Sequence, residues 1–176
     1  VTPDDAAILA AVTWCKAQGA VELVIPEGQF FVTTTANFDL ANYSTLTFIG
    51  EIVSNIATAI PTVRIGSPSG NTFGLRVSGV NVKRKTLDTT LFSRGVELRN
   101  LSFSHVDIRW VTGFTFGVFV LGDQPNGGFS YNEVWLSFIH DNLINLKLAA
   151  AGTGYCNENV FHGGSFNHSS SYPAVF

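Results

Sequence analysis

Short apolar segments of this chain echo one another at intervals too small for separate domains. NLSFSHVDI, Asn100 to Ile108, lines up with WLSFIHDNL, Trp135 to Leu143. Leu-Ser-Phe recurs, His follows two residues on at His105 and His140, Asp107 falls opposite Asn142, and Ile108 falls opposite Leu143. A fainter copy is LRVSGVNV, where Val77, Val80 and Val82 match Leu98, Leu101 and Phe103. YNEVW, Tyr131 to Trp135, is echoed by CNENVF, Cys156 to Phe161. The offsets are roughly 20 to 35 residues. A unit of that size cannot bury its own apolar face, so successive units must stack into a solenoid. A β-sandwich would space strands similarly, but it leaves the recurring Leu-Ser-Phe-x-His unexplained.

The local signals agree. TPDDAAILAAVTWCKAQG reads as a helix, with Thr2 as its cap, Pro3 in its first turn, and Asp4 and Asp5 at its positive end. Ile8, Leu9, Val12 and Cys15 form its apolar face, and Gly19 ends it. From Val21 the chain reads as short strands split by Gly, Asn, Asp and Pro. VELVIPEGQFFV bends at Pro26, which lacks a ladder donor, and at Gly28, which turns where other residues resist. Alternation turns Leu101, Phe103, Val106 and Ile108 inward in one unit, and Val134, Leu136 and Phe138 in another. Ser102, Ser104, Asp107, Arg109, Glu133, Trp135 and Ser137 then face outward.

Composition removes several function classes. The chain has 176 residues, a single-domain size, and only 13% are charged. No run of about 18 apolar residues occurs, so membrane insertion is not expected. The net charge is −3 and VKRKT is the one dense basic cluster, so nucleic acid is not an expected partner. Cys15 and Cys156 do not make a disulfide framework, and Cys15 reads as a buried thiol on the helix. No phosphate-cradling glycine motif, zinc spacing or nucleophile elbow is present. The chain lacks methionine and starts at Val1, so it is expected to be a piece of a longer one.

A capping helix, a Gly, a strand and then IPEGQFFV resembles the start of right-handed parallel β-helix proteins of the pectate-lyase-like superfamily. Ile25, Pro26, Gly28, Phe30 and Val32 carry the match, and NENVFHGGSF, Asn157 to Phe166, resembles a later coil. The resemblance implies an all-β fold, a single-stranded right-handed parallel β-helix. A capping helix occupies residues 1–20 and coils occupy 21–176. The nearest group in kind is the bacteriophage tailspikes. These imply a homotrimer on the virion tail that binds and cleaves a bacterial surface polysaccharide, capsule or O-antigen. A non-enzymatic receptor-binding or structural virion module is the alternative. A monomeric secreted or periplasmic pectinase-like lyase or hydrolase is a further one.

Glycan hydrolysis needs two carboxylates. Glu133 and Glu158 hold matching positions in the two Asn-Glu stretches, so stacking coils would bring them together. Close like charges would raise the pKa of one, as a general acid requires. The plainer reading is two solvated outer-face glutamates. Asp141 beside His140 is a third catalytic candidate, with Asp107 and His105 one unit earlier. Trp135, Trp110, Tyr131 and Tyr155 offer flat apolar faces for sugar, with His140 beside them, though each also suits subunit packing. A lyase would need clustered calcium ligands, and Asp107 with Arg109 does not supply them. No metal or cofactor is expected.

Overall fold

The computed structural model describes residues 3–88, 92–124, 127–166 and 172–175, the last as backbone. The helix α1 (Asp5–Gln18) comes first. Eighteen strands follow among the described residues: β1 (Glu22–Ile25), β2 (Gln29–Val32), β3 (Ala36–Phe38), β4 (Thr45–Phe48), β5 (Glu51–Ser54), β6 (Pro61–Ile65), β7 (Thr72–Phe73), β8 (Arg76–Arg84), β9 (Arg94–Arg99), β10 (Leu101–Ser102), β11 (His105–Thr112), β12 (Phe116–Gly122), β13 (Gly128–Ser130), β14 (Glu133–Ile139), β15 (Ile144–Ala150), β16 (Tyr155–Asn157), β17 (Val160–Ser165) and β18 (Tyr172–Val175). They form three sheets. The first runs β1-β4-β8-β11-β14-β17, with β2 and β5 alongside; the second runs β18-β15-β12-β9-β6-β3; the third runs β16-β13-β10-β7. Every pairing is parallel. The chain visits the sheets in turn, a stack compatible with a β-helix. Among the described residues no helix is long and apolar enough to cross a membrane.

Register explains why the stack holds. Leu23, Leu46, Val77, Val106, Val134 and Phe161 are successive partners on the inner side of the first sheet. Val63, Val96, Val118 and Leu146 form the matching ladder of the second. From Leu46 to Val134, and from Val63 to Leu146, these side chains are buried in one continuous core. Each such burial stabilises the fold by about 1.5–3 kcal/mol relative to exposure.

The break at IPEG lies within one face. β1 pairs β4, β2 pairs β5, and both β4 and β5 then pair the long strand β8. Gly50 sits at the same bend one coil later, where a Cβ would lie 2.3 Å from the Pro26 carbonyl oxygen. No other residue fits against that backbone.

At the N-terminal end, α1 lays Ile8, Val12 and Cys15 onto the core, as its spacing predicts. Leu9, expected on that face, is 64% exposed. The Thr2 cap falls outside the described residues. The acidic pair does different work from dipole compensation. Asp4 Oδ2 accepts from the Phe31 N–H at 2.7 Å, and Asp5 accepts from the backbone and hydroxyls of Thr33 and Thr34. The helix is thus tied to the end of β2 and the turn after it. Burial pushes the Asp5 carboxyl upward, but these bonds outweigh it and hold the group below its ordinary range.

The structural repeat differs from the Leu-Ser-Phe repeat. Leu101 lies on β10 of the third sheet, whereas Leu136 lies on β14 of the first. The true partners are His105 with Glu133, Asp107 with Trp135, and Ile108 with Leu136. Val77, Val80 and Val82 stack on Val106, Ile108 and Val111, not on Leu98, Leu101 and Phe103. Phe103 and Phe138, expected inside, are 64% and 52% exposed, while Ser102 and Ser104, expected outside, are buried. The cause for Phe103 is a left-handed residue at the corner between sheets. Phe103 has φ 53°, Tyr131 φ 55° and Glu158 φ 54°. One such residue reverses the alternation that a strand would continue.

Candidate functional site

Each of those left-handed residues is followed by a polar residue that locks the corner. Asn132 Oδ1 accepts from the Ser104 N–H at 3.0 Å, and its Nδ2 donates to the Leu101 carbonyl at 2.8 Å. One coil on, Asn159 Oδ1 accepts from the Asn132 N–H at 3.0 Å, and its Nδ2 donates to the Phe129 carbonyl at 2.9 Å. This asparagine ladder turns its amides inward, Asn132 fully buried and Asn159 partly, and turns the preceding residue outward. Phe103 and Tyr131 therefore stack on the surface, centroids 4.9 Å apart and only 4° from parallel, with Glu158 next in the column. The Glu158 carboxylate holds the Tyr131 phenol above its ordinary pKa, keeping it a hydrogen-bond donor. Lower in the column Gly74 (φ 66°) leaves room for Tyr43: a Cβ there would sit 2.5 Å from the Tyr43 ring.

Beside that column the first sheet begins, and its first residues line up as Thr45, Arg76, His105, Glu133 and Val160. Between column and sheet runs an open groove of about 950 Å³, with Phe103, Tyr131 and Glu158 on one wall and His162 on the other. It follows the stacking direction across several coils.

Glu133 is the best-organised group in the groove. Its Oε2 lies 3.3 Å from His105 Nδ1, and its Oε1 lies 3.0 Å from His162 Nε2. The Trp135 indole N–H donates to Oε1 at 3.2 Å. The His105 hydrogen bond chiefly, then Trp135 and the charge of the two imidazoles, hold the Glu133 carboxyl below its ordinary range. Three donors thus converge on the ionised carboxylate, the form in which a base or nucleophile acts. Trp135 and His162 stack at 4.2 Å and 15°. One face of Trp135 is thus covered, while the residue stays 43% exposed.

Glu133 and Glu158 do not occupy matching positions. Ser130 pairs Asn157, so Glu158 stacks above Tyr131, and Glu133 stacks below Val160. Both face the groove, but diagonally. The two Asn-Glu stretches mislead because the equivalent asparagines are Asn132 and Asn159, not Asn132 and Asn157.

The remaining candidates lie elsewhere. Asp141 (φ 53°) holds the opposite corner of the first sheet, with its Oδ2 2.7 Å from His140 Nδ1. Trp110 packs edge-on against His140 at 4.6 Å and tilted on Phe138 at 5.5 Å. This cluster is seven residues from Glu133 along the chain, roughly 20 Å of extended strand. Asp107 Oδ2 accepts from the Gly79 N–H at 3.1 Å, a bond to the bulged strand β8. Tyr155 opens β16 on the third sheet opposite Gly128 and lies outside the groove lining. Asp123, on a loop, is tied to Arg99 and Asn100; burial raises its carboxyl, and those bonds lower it to a net value below the ordinary one. Among the described residues no group of three or more His, Cys, Asp or Glu is placed to hold a metal ion.

Sequence reasoning did not bring His162 and Arg76 into the site. Pairing Asn132 with Asn159 would have exposed both, since it sets the true register of roughly 27 to 29 residues per coil.

No family model matches the chain, and no curated protein matches it. A solved structure of ORF18 from Geobacillus virus E2 is similar in fold, with a TM-score of 0.59 at 15% identity. The similarity covers 92% of this chain and 38% of that one, so the chain spans less than half of that phage protein.

Proposed function

We propose that this chain is the polysaccharide-binding and polysaccharide-cleaving β-helix of a phage tailspike-like protein, acting as a glycoside hydrolase on a bacterial surface glycan. The observation that carries the reading is Glu133. A carboxylate gripped by two imidazoles and an indole N–H, on the floor of a groove walled by stacked aromatic rings, is organised for chemistry rather than for solubility.

In this reading Glu133 is the base and Glu158, across the groove, is the second carboxylate of the pair. Glu158 stands one coil on and two residues back from Glu133, and both line the same groove, the arrangement that a two-carboxylate hydrolase needs. Tyr131 donates to Glu158 and offers a ring edge to sugar; His162, stacked on Trp135, lines the opposite wall. His105 and His162 position Glu133. A right-handed winding of the coils is part of the proposal, supported by the rule for parallel crossovers. So are a homotrimer and a place on the virion tail. The phage origin of the fold neighbour supports that setting and leaves the chemistry to be tested.

The test is cleavage. The protein is incubated with capsule and O-antigen polysaccharides, and new reducing ends are followed together with ultraviolet absorbance from unsaturated uronates. New ends without absorbance support hydrolysis. New ends with absorbance would replace it with a lyase mechanism. Binding without new ends would make the chain a receptor-binding module.

A further inference from the structure

The groove is asymmetric along its length, and its lower half has a chemistry that hydrolysis does not use. Arg76 lies in the same register column as Glu133, with His105 between them. The two are therefore separated by two coil steps, roughly 10 Å. Arg76 is exposed and lines the groove. Among the described residues it makes no ion pair. Several other cations are engaged: Arg64, Arg94 and Arg99 surround the buried Glu97, and Lys83 reaches Glu51 at 2.6 Å.

The surroundings of Arg76 are donors and hydroxyls. Thr45 precedes it in the column, and the Ser78 and Thr47 hydroxyls lie 3.4 Å apart beside it. Glu133 occupies His105 Nδ1, which leaves the other ring nitrogen, Nε2, for a ligand. The nearest carboxylates in the column are Glu133 two steps above and Glu22 two steps below. A guanidinium fork has five donors, no acceptor and a geometry matched to a carboxylate. A neutral hydroxyl-bearing sugar satisfies it poorly.

We infer that Arg76 forms a subsite for a carboxylated sugar unit, held two coil steps from the Glu133–Glu158 end, so that the groove selects uronate-bearing polysaccharide over neutral. This rests on the polysaccharide reading above. It also sets an orientation: the glycan runs along the stack, with its acidic unit at the Arg76 end.

The experiment titrates the whole chain, by calorimetry, with uronate-containing bacterial capsular polysaccharides and with the same polymers after carboxyl reduction. The wild-type protein is expected to bind the acidic form about ten- to hundredfold more tightly, the scale of a charge-assisted contact. Arg76→Gln is expected to erase that preference with an unchanged circular dichroism spectrum and melting temperature, and Arg76→Lys to restore part of it. Equal binding of both forms, or a preference that survives Arg76→Gln, would overturn the acidic subsite and leave the polysaccharide reading standing. Binding of neither form across the panel would overturn both.

Discussion

Replacing Asn132 with Ala should destabilise the chain far more than any change to Glu133 beside it. Asn132 is 2% exposed, and its amide serves two backbone groups that are themselves buried. Its oxygen accepts from Ser104 N–H at 3.0 Å, and its nitrogen donates to the Leu101 carbonyl at 2.8 Å. Alanine removes both partners. A buried backbone group left unpaired costs about 1–3 kcal/mol. The two together give a loss of about 2–6 kcal/mol. In a chain of this size each kcal/mol lowers the melting temperature by about 2–4 °C. Urea denaturation at fixed pH measures the loss, with Glu133→Gln as the exposed control, expected within about 0.5 kcal/mol of wild type. A loss below about 0.5 kcal/mol for Asn132→Ala would refute the ladder as the lock of this corner. The site would then need another explanation for the outward turn of Tyr131.

Two further outcomes follow from the carboxylates. His105→Ala removes the main cause of the depressed Glu133 pKa, so the acid limb of the kcat/KM profile should move up toward the ordinary value near 4.5; pH-rate profiles of both proteins check this. Asp5 is also depressed, so its contribution to stability is complete above its ordinary value near 3.8 and is lost as pH falls through the folded value. Asp5→Asn should therefore lower stability by about 1 kcal/mol at neutral pH, the scale of hydrogen bonds to a half-buried carboxylate, and by less at pH 2–3, read by denaturant midpoints at both pH values.

The architecture was legible because its signals are local. Ile8, Val12 and Cys15 mark the helix face, and Pro26 and Gly28 mark the bend within the first sheet. Short strands recurring at small intervals demand stacking. The register was not legible in the same way. Parity counting assumes a continuous strand, and Phe103 breaks that assumption with a single left-handed residue. The Leu-Ser-Phe echo then drew attention to segments on different sheets. Glu133 was visible as a candidate, but its organisation depends on His105 and His162, roughly 28 residues before and after it. Asp141 and His140 were brought together as the sequence suggested, at the far corner of the sheet and away from Glu133.

The most direct measurement compares the wild-type protein with Glu133→Gln on a polysaccharide that the wild type binds. Reducing ends and retained binding are recorded on the same samples. The wild type is expected to release oligosaccharides, and Glu133→Gln to bind the intact polymer while releasing none. Cleavage by Glu133→Gln at the wild-type rate, or a wild type that binds and never cuts, would contradict that expectation.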